Sequence, residues 1–186
     1  MKVELKANGK TIQFEITEEQ LKETVLFEQL KKLGLIEEQR TGYERVEKSE
    51  TYYVIDTEYN SMSKIIEFND QKDEQCYNTG NYYSDKTIAE NNARADRLLR
   101  HLRRWQAAHD QTISVSDWKK DIYKYSIAYN YSLDMPFAKI DSCCRNLNNV
   151  YFTTEDKTIE AIKQFESDIR WYFTEYIQRL DEMKND

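Results

Sequence analysis

Tyr82-Tyr83-Ser84-Asp85-Lys86-Thr87-Ile88 and Phe152-Thr153-Thr154-Glu155-Asp156-Lys157-Thr158-Ile159 read as two copies of one junction, where a strand gives way to a helix. At an offset of 71, Asp85, Lys86, Thr87 and Ile88 match Asp156, Lys157, Thr158 and Ile159 identically. Each copy carries Asp or Thr where a helix N-cap needs a side-chain oxygen. Downstream, Leu98 falls on Ile169, Leu102 on Phe173 and Trp105 on Tyr176. Upstream, at an offset of 72, Tyr53-Val54-Ile55 resembles Tyr125-Ser126-Ile127. The expectation is a ββα-like unit used twice, its small sheet covered on one face by a helix stripe.

Working outward, residues 1–34 read as a β-hairpin and a helix. Val3, Leu5 and Ala7 alternate with polar residues, as do Ile12, Phe14 and Ile16, and Asn8-Gly9 between them suits a type I′ turn. Thr17 with Gln20 is a capping-box pair, followed by Leu21, Val25, Leu26, Leu30 and Leu33 at helical spacing up to Gly34. Residues 35–50 read as a polar connector. The first unit is expected over 51–112, with strands at Tyr52–Thr57 and Lys64–Phe68, a solvated acidic loop from Glu67 to Glu74, and a helix from Ser84 or Asp85 to about Asp110. The second is expected over 113–186: a short turn or helix at 114–119, strands at Asp121–Ser132, Pro136–Ile140 and Asn149–Phe152, and one final helix from Thr153 or Thr154 to about Met183. The fold class is therefore α+β, with antiparallel sheet and long amphipathic helices.

The chain of 186 residues is 39% hydrophobic and 33% charged, with 14 Tyr, 4 Gly and 1 Pro. The aromatics argue for a folded chain, and the scarcity of Gly and Pro leaves little room for linkers. No apolar run approaches the ~18 residues of a membrane span, and the N-terminus lacks the apolar region of a signal peptide. Three cysteines, Cys76, Cys143 and Cys144, suit a reducing compartment, so a host-cell cytoplasmic location is expected. The net charge of −7 argues against wholesale coating of nucleic acid, and it permits an acidic surface that competes with nucleic acid for a basic protein.

Gly42-Tyr43-Glu44-Arg45-Val46, Tyr52-Tyr53-Val54-Ile55-Asp56, Gly80-Asn81-Tyr82-Tyr83 and the ending Trp171-Tyr172-Phe173-Thr174-Glu175-Tyr176 resemble a diffuse family of accessory proteins from phages and prophages of Firmicutes. The N-terminal hairpin shares in that resemblance, which spans nearly the whole chain. It brings no catalytic or binding residues with it. It implies a mobile-element origin, and small phage proteins of this kind commonly act against host systems. Type II anti-CRISPR proteins, inhibitors of Cas9, include members of similar size in these bacteria.

Two constellations stand out as binding candidates. Arg94 to Arg104 holds five Arg and one Asp, and Arg97, Arg100 and Arg104 fall within about 60° on a helical wheel, with Arg94 on their flank. Such a ridge grips phosphates or an acidic protein surface, because the guanidinium fork binds oxyanions in pairs. The opposing reading is a solvated or internally paired helix face. Glu67, Asp70, Asp73 and Glu74 form the acidic counterpart, suited to a basic nucleic-acid channel. Trp171 lies about 180° from the stripe of its helix, which leaves packing beneath the N-terminal hairpin or an exposed interface anchor. Trp105 and Trp118 read as core.

Catalytic templates fail. There is no glycine-rich phosphate loop and no GxSxG. Only two His, His101 and His109, are present, and neither has cysteine at zinc-ligand spacing. Asp56, Glu58, Glu67 and Lys64 lack the acid-x-Lys strand of a nuclease. No enzyme activity, metal or cofactor is expected. The leading expectation is an accessory protein that binds and inhibits a host defence protein, with a Cas9-type nuclease the first candidate. Direct binding of DNA or RNA through the Arg-rich helix is the alternative, and a self-associating homodimer using an unpaired sheet edge is a third.

Overall fold

The computed structural model describes residues 2–7, 10–15, 17, 40–58 and 61–184. The chain divides into two compact units, Met1–Arg40 and Thr41–Asp186. In the first, β1 (Lys2–Ala7) pairs antiparallel with β2 (Lys10–Glu15), from Lys2↔Glu15 to Ala7↔Lys10, so the expected hairpin is present. The expected turn at 8–9 and the helix up to Gly34 lie outside the described residues.

The second unit is α+β, as its alternation and helical periods require. β3 (Thr51–Asp56) pairs antiparallel with β4 (Ser61–Ile66). Then come α1 (Gln71–Asn78) and α2 (Lys86–His109). After α3 (Val115–Lys119), β5 (Lys124–Asn130) pairs antiparallel with β6 (Met135–Asp141) and with β7 (Tyr151–Phe152), giving the order β6-β5-β7. α4 (Glu155–Gln164), α5 (Glu166–Thr174) and a 3₁₀ turn at Leu180–Lys184 complete it.

The same arrangement recurs. In each half a hairpin is followed by a short extended stretch that returns to the hairpin's first strand and then enters a helix. Tyr83 bridges Tyr53 through both backbone hydrogen bonds, at 2.8 and 3.0 Å, and Phe152 is the antiparallel partner of Tyr125 on β5. Two residues on from the bridging residue comes the N-cap. Asp85 accepts from the Ile88 N–H at 3.0 Å, and Thr154 accepts from the Lys157 N–H at 3.2 Å.

Equivalent positions are thus Tyr83 with Phe152 and Asp85 with Thr154, an offset of 69. The identity at an offset of 71 is therefore two residues out of structural register. Its consequence is visible in burial: Ile88 is 0% exposed, whereas its sequence match Ile159 is 36% exposed. The capping oxygen decides this. In the second half Thr154 takes the cap, so Asp156 lies inside the first turn instead of before it.

The halves share one helix, which joins two apolar clusters. α2 lies against β3 and β4 and against α4 and α5. Its first turn supplies Ile88 and Ala89, packed with Tyr83, Tyr53, Ile55 and Met62. Further along, Leu98 and Leu102 join Phe152, Ala161, Ile162 and Ile169. Residues 41–50 belong to this body, because the Gly42 C=O accepts from the Ser84 N–H at 2.9 Å and the Thr41 C=O from the Leu180 N–H at 3.0 Å.

Two elements differ from the sequence expectation. The Glu67–Glu74 stretch is not a solvated loop, because Asp70 and Asp73 form a reciprocal capping box that starts α1. The last helix is not continuous to Met183. It kinks at Phe165 (φ −120°, ψ 23°) and ends at Thr174. The stripe of Tyr176, Ile177 and Leu180 continues at helical spacing, but Ile177 and Leu180 pack instead on the Tyr83, Ile88 and Ala89 cluster. Tertiary burial overrides the period there.

Candidate functional site

Of the four acidic candidates, Glu67 and Asp73 lie inward, and Asp70 and Glu74 are exposed. Glu67 and Asp73 are buried at 0% and 2% exposure. Glu67 accepts from the Arg45 guanidinium at 3.2 Å, the Asn69 N–H at 2.9 Å and the Tyr82 phenol at 2.7 Å. Asp73 accepts from the Tyr52 phenol at 2.7 Å and from the Phe68 and Asp70 N–H groups at 2.7 and 3.2 Å. Burial raises the Asp73 pKa, but these donors outweigh it and hold the group down to about 2. Asp70 is used by the Lys72 and Asp73 N–H groups, and Glu74 pairs with Arg45 at 2.6 Å. Glu67 and Asp73 thus sit in a polar knot that ties α1 to β3, β4 and the residue 41–50 segment, with Asp70 and Glu74 on its exposed rim.

The Arg ridge divides. Arg94 donates to Asp168 through Nε at 3.2 Å and Nη2 at 2.9 Å, and its guanidinium lies 4.0 Å over the Trp171 ring. Trp171 is 7% exposed and sits beside Tyr176, with ring centroids 5.6 Å apart. It is therefore a buried residue, covered within the 41–186 unit by Arg94, and not an exposed anchor. Arg97 is half-buried and engaged. Arg100, Arg103 and Arg104 are exposed, and no ion pair to another described residue occupies them. Spacings of three and four residues make them neighbours on the surface of α2. Trp105 and Trp118 are half-buried at the edge of the core, Trp105 stacked on His109 at 4.6 Å and Trp118 edge-on to Tyr151 at 4.8 Å.

Beside this face the loop after β6 contributes a fourth guanidinium. Arg145 and Arg103 line one polar groove of about 350 Å³, with Gln106, Gln111 and Trp118 also on its walls. Asp110, an acid on that wall, is already satisfied by the Thr153 hydroxyl and N–H and by the Gln111 N–H. The loop is held from below: the Asn146 N–H donates to the Tyr151 phenol oxygen at 2.8 Å, and Asn148 takes a positive φ of 65°, a conformation Asn tolerates. On the loop's other side is an apolar hollow of about 220 Å³, walled by Leu98, Leu99, Leu102, Leu147, Tyr172 and Phe173. The two hollows share Asn149 and Val150. Leu147, on the rim of the apolar hollow, is 95% exposed.

The site is thus a basic groove and an apolar hollow on either side of one short loop, along the flank of α2. Arg145 and Leu147 gave no signal in sequence, since neither belongs to a periodic element. Among the described residues no group of three or more His, Cys, Asp or Glu side chains is placed to hold a metal ion. No described helix is long and apolar enough to cross a membrane. Protein-family models, curated proteins and solved structures give no match to this chain.

Proposed function

We propose that this chain is a non-enzymatic binding protein, a phage accessory protein that engages a host defence protein in the host cytoplasm through the α2 flank. A Cas9-type CRISPR nuclease is the first candidate. The carrying observation is the placement of Arg103 and Arg145 on one groove, with exposed Leu147 on the loop between that groove and an apolar hollow. Arginine beside apolar surface is the composition of protein interfaces, and it fits a partner presenting acidic and apolar side chains together. The phage setting and the nuclease target rest on the family resemblance. The acidic residues first considered for docking take no part in this reading: Glu67 and Asp73 are buried, Glu74 is paired with Arg45, and Asp70 caps α1.

Direct nucleic-acid binding is the second reading, favoured by one observation: the same groove has Trp118 on its wall, beside two guanidiniums. A pull-down of the tagged chain from lysate of a CRISPR–Cas-carrying Firmicute host, with and without nuclease, separates the two. A Cas protein retained after nuclease treatment, and lost with Arg103→Glu and Arg145→Glu, supports the first. Retention of nucleic acid alone, weakening steeply with salt, supports the second and overturns the first. Retention of neither overturns both.

A further inference from the structure

The bend that follows β6 carries a second, separate chemistry. Cys143 and Cys144 are free and exposed, and their sulfurs lie 3.7 Å apart. Adjacent side chains in extended chain point to opposite faces. The bend at Ser142 and Cys143 brings these two to the same side. The Cys144 thiol is held above its ordinary value, chiefly by its hydrogen bond with Cys143.

Closure to a disulfide conflicts with the backbone. Neighbouring Cα atoms are about 3.8 Å apart across a trans peptide, whereas bridged cysteines usually need about 4.4–6.8 Å. A single centre bound by both sulfurs meets no such conflict. Bonds of about 2.3 Å put two sulfurs about 3.4–3.8 Å apart for angles from pyramidal to tetrahedral, a range that holds the 3.7 Å seen here. Zinc asks for about four ligands, and among the described residues no third or fourth is gathered. The nearest acid in sequence, Asp141, is turned inward to Ser126 at 2.6 Å and to Lys139 at 3.1 Å.

We propose that Cys143 and Cys144 form a dithiol capture site for a thiophilic centre that is satisfied by two sulfurs, in the chemical class of monosubstituted trivalent arsenicals. With an organoarsenic oxide, two As–S bonds form and the As=O bond breaks. The two thiol protons leave with that oxygen as water. Arsenic stays trivalent and nothing is oxidised.

The test is intact-mass analysis of the full chain with phenylarsine oxide. One adduct per chain is expected, retained against excess monothiol (2-mercaptoethanol) and removed by a dithiol (2,3-dimercaptopropanol). Cys143→Ser and Cys144→Ser each lose that retention, while Cys76→Ser keeps it. All three positions are at least partly exposed, and circular dichroism checks that the variants remain folded. Wild-type adduct lost to monothiol, or retention that survives Cys144→Ser, overturns the proposal.

Discussion

Tyr52 and Tyr82 stack face to face, with ring centroids 4.0 Å apart and planes 12° from parallel, yet their phenols donate to different carboxylates, Asp73 and Glu67. One aromatic pair therefore secures two buried acids. Each acid is met by several hydrogen-bond donors, so neither buried side chain is left unsatisfied.

Tyr82→Phe removes a donor from Glu67 and an acceptor from the Val46 N–H, which lies 3.1 Å from the phenol oxygen. A loss of about 1–3 kcal/mol is expected, read by urea denaturation. Tyr77 packs edge-on against the same ring and is 42% exposed. Tyr77→Phe should change stability by less than about 0.5 kcal/mol. Equal losses from the two variants contradict the role given to the Tyr82 phenol.

Acid should unfold the chain through Asp73 in this knot and through Glu44, which accepts from Thr41 and Gly42. Asp73 is held down to about 2 from 3.8, and Glu44 to about 2 from 4.5. At Glu44, burial raises the pKa, and the hydroxyl and N–H of Thr41 with the Gly42 N–H more than offset it. A depressed carboxyl pKa contributes stability above its unfolded value and loses it as pH falls through the folded one. The melting temperature should therefore hold from neutral pH to about 5 and fall between about 4.5 and 2. Asp73→Asn should flatten that fall. An unchanged acid slope in Asp73→Asn assigns the acid sensitivity elsewhere.

Gly42 has a φ of 98°, and a Cβ there would lie 2.7 Å from Ile88 Cγ1. Gly80 has a φ of 74° but open space around it. Both Ala variants incur backbone strain, of about 1–3 kcal/mol. Only Gly42→Ala also collides with a fully buried side chain, so its melting temperature should drop further. Equal drops would show that Ile88 yields at no cost.

Lys124 is 1% exposed, and its ammonium donates to the carbonyls of Asp117 at 2.6 Å, Ser142 at 2.9 Å and Ile122. It also lies 4.5 Å over the Trp118 ring. Lys124→Met keeps the stem but leaves three carbonyls without that donor, a loss of at least about 2 kcal/mol in urea denaturation. The near-ultraviolet signal of Trp118 should change with it. A fully stable Lys124→Met would mean that water replaces the ammonium.

Much was legible from the chain itself: Asp85 and Thr154, each one of two cap candidates, cap α2 and α4, and β3 and β5 fall within the expected strand-like runs. The Asp70–Asp73 box was legible too, but its density of charge suggested solvent where the chain instead gathers donors. The outward direction of Arg100 and Arg104 follows from the helical wheel. The pairing of Arg94 does not, because its partner Asp168 lies 74 residues away. Arg145 reaches the groove through a loop fixed by Tyr151, which no local pattern announces.

The sharing of α2 has a consequence for how the unit comes apart. Ile88 and Leu102 sit in separate apolar clusters on one continuous helix. Melting either end of that helix strips the cover from one hairpin and frays the support of the other. Thr41–Asp186 is accordingly expected to unfold as one cooperative foldon, with a proteolytic nick in α2 exposing both hairpins together.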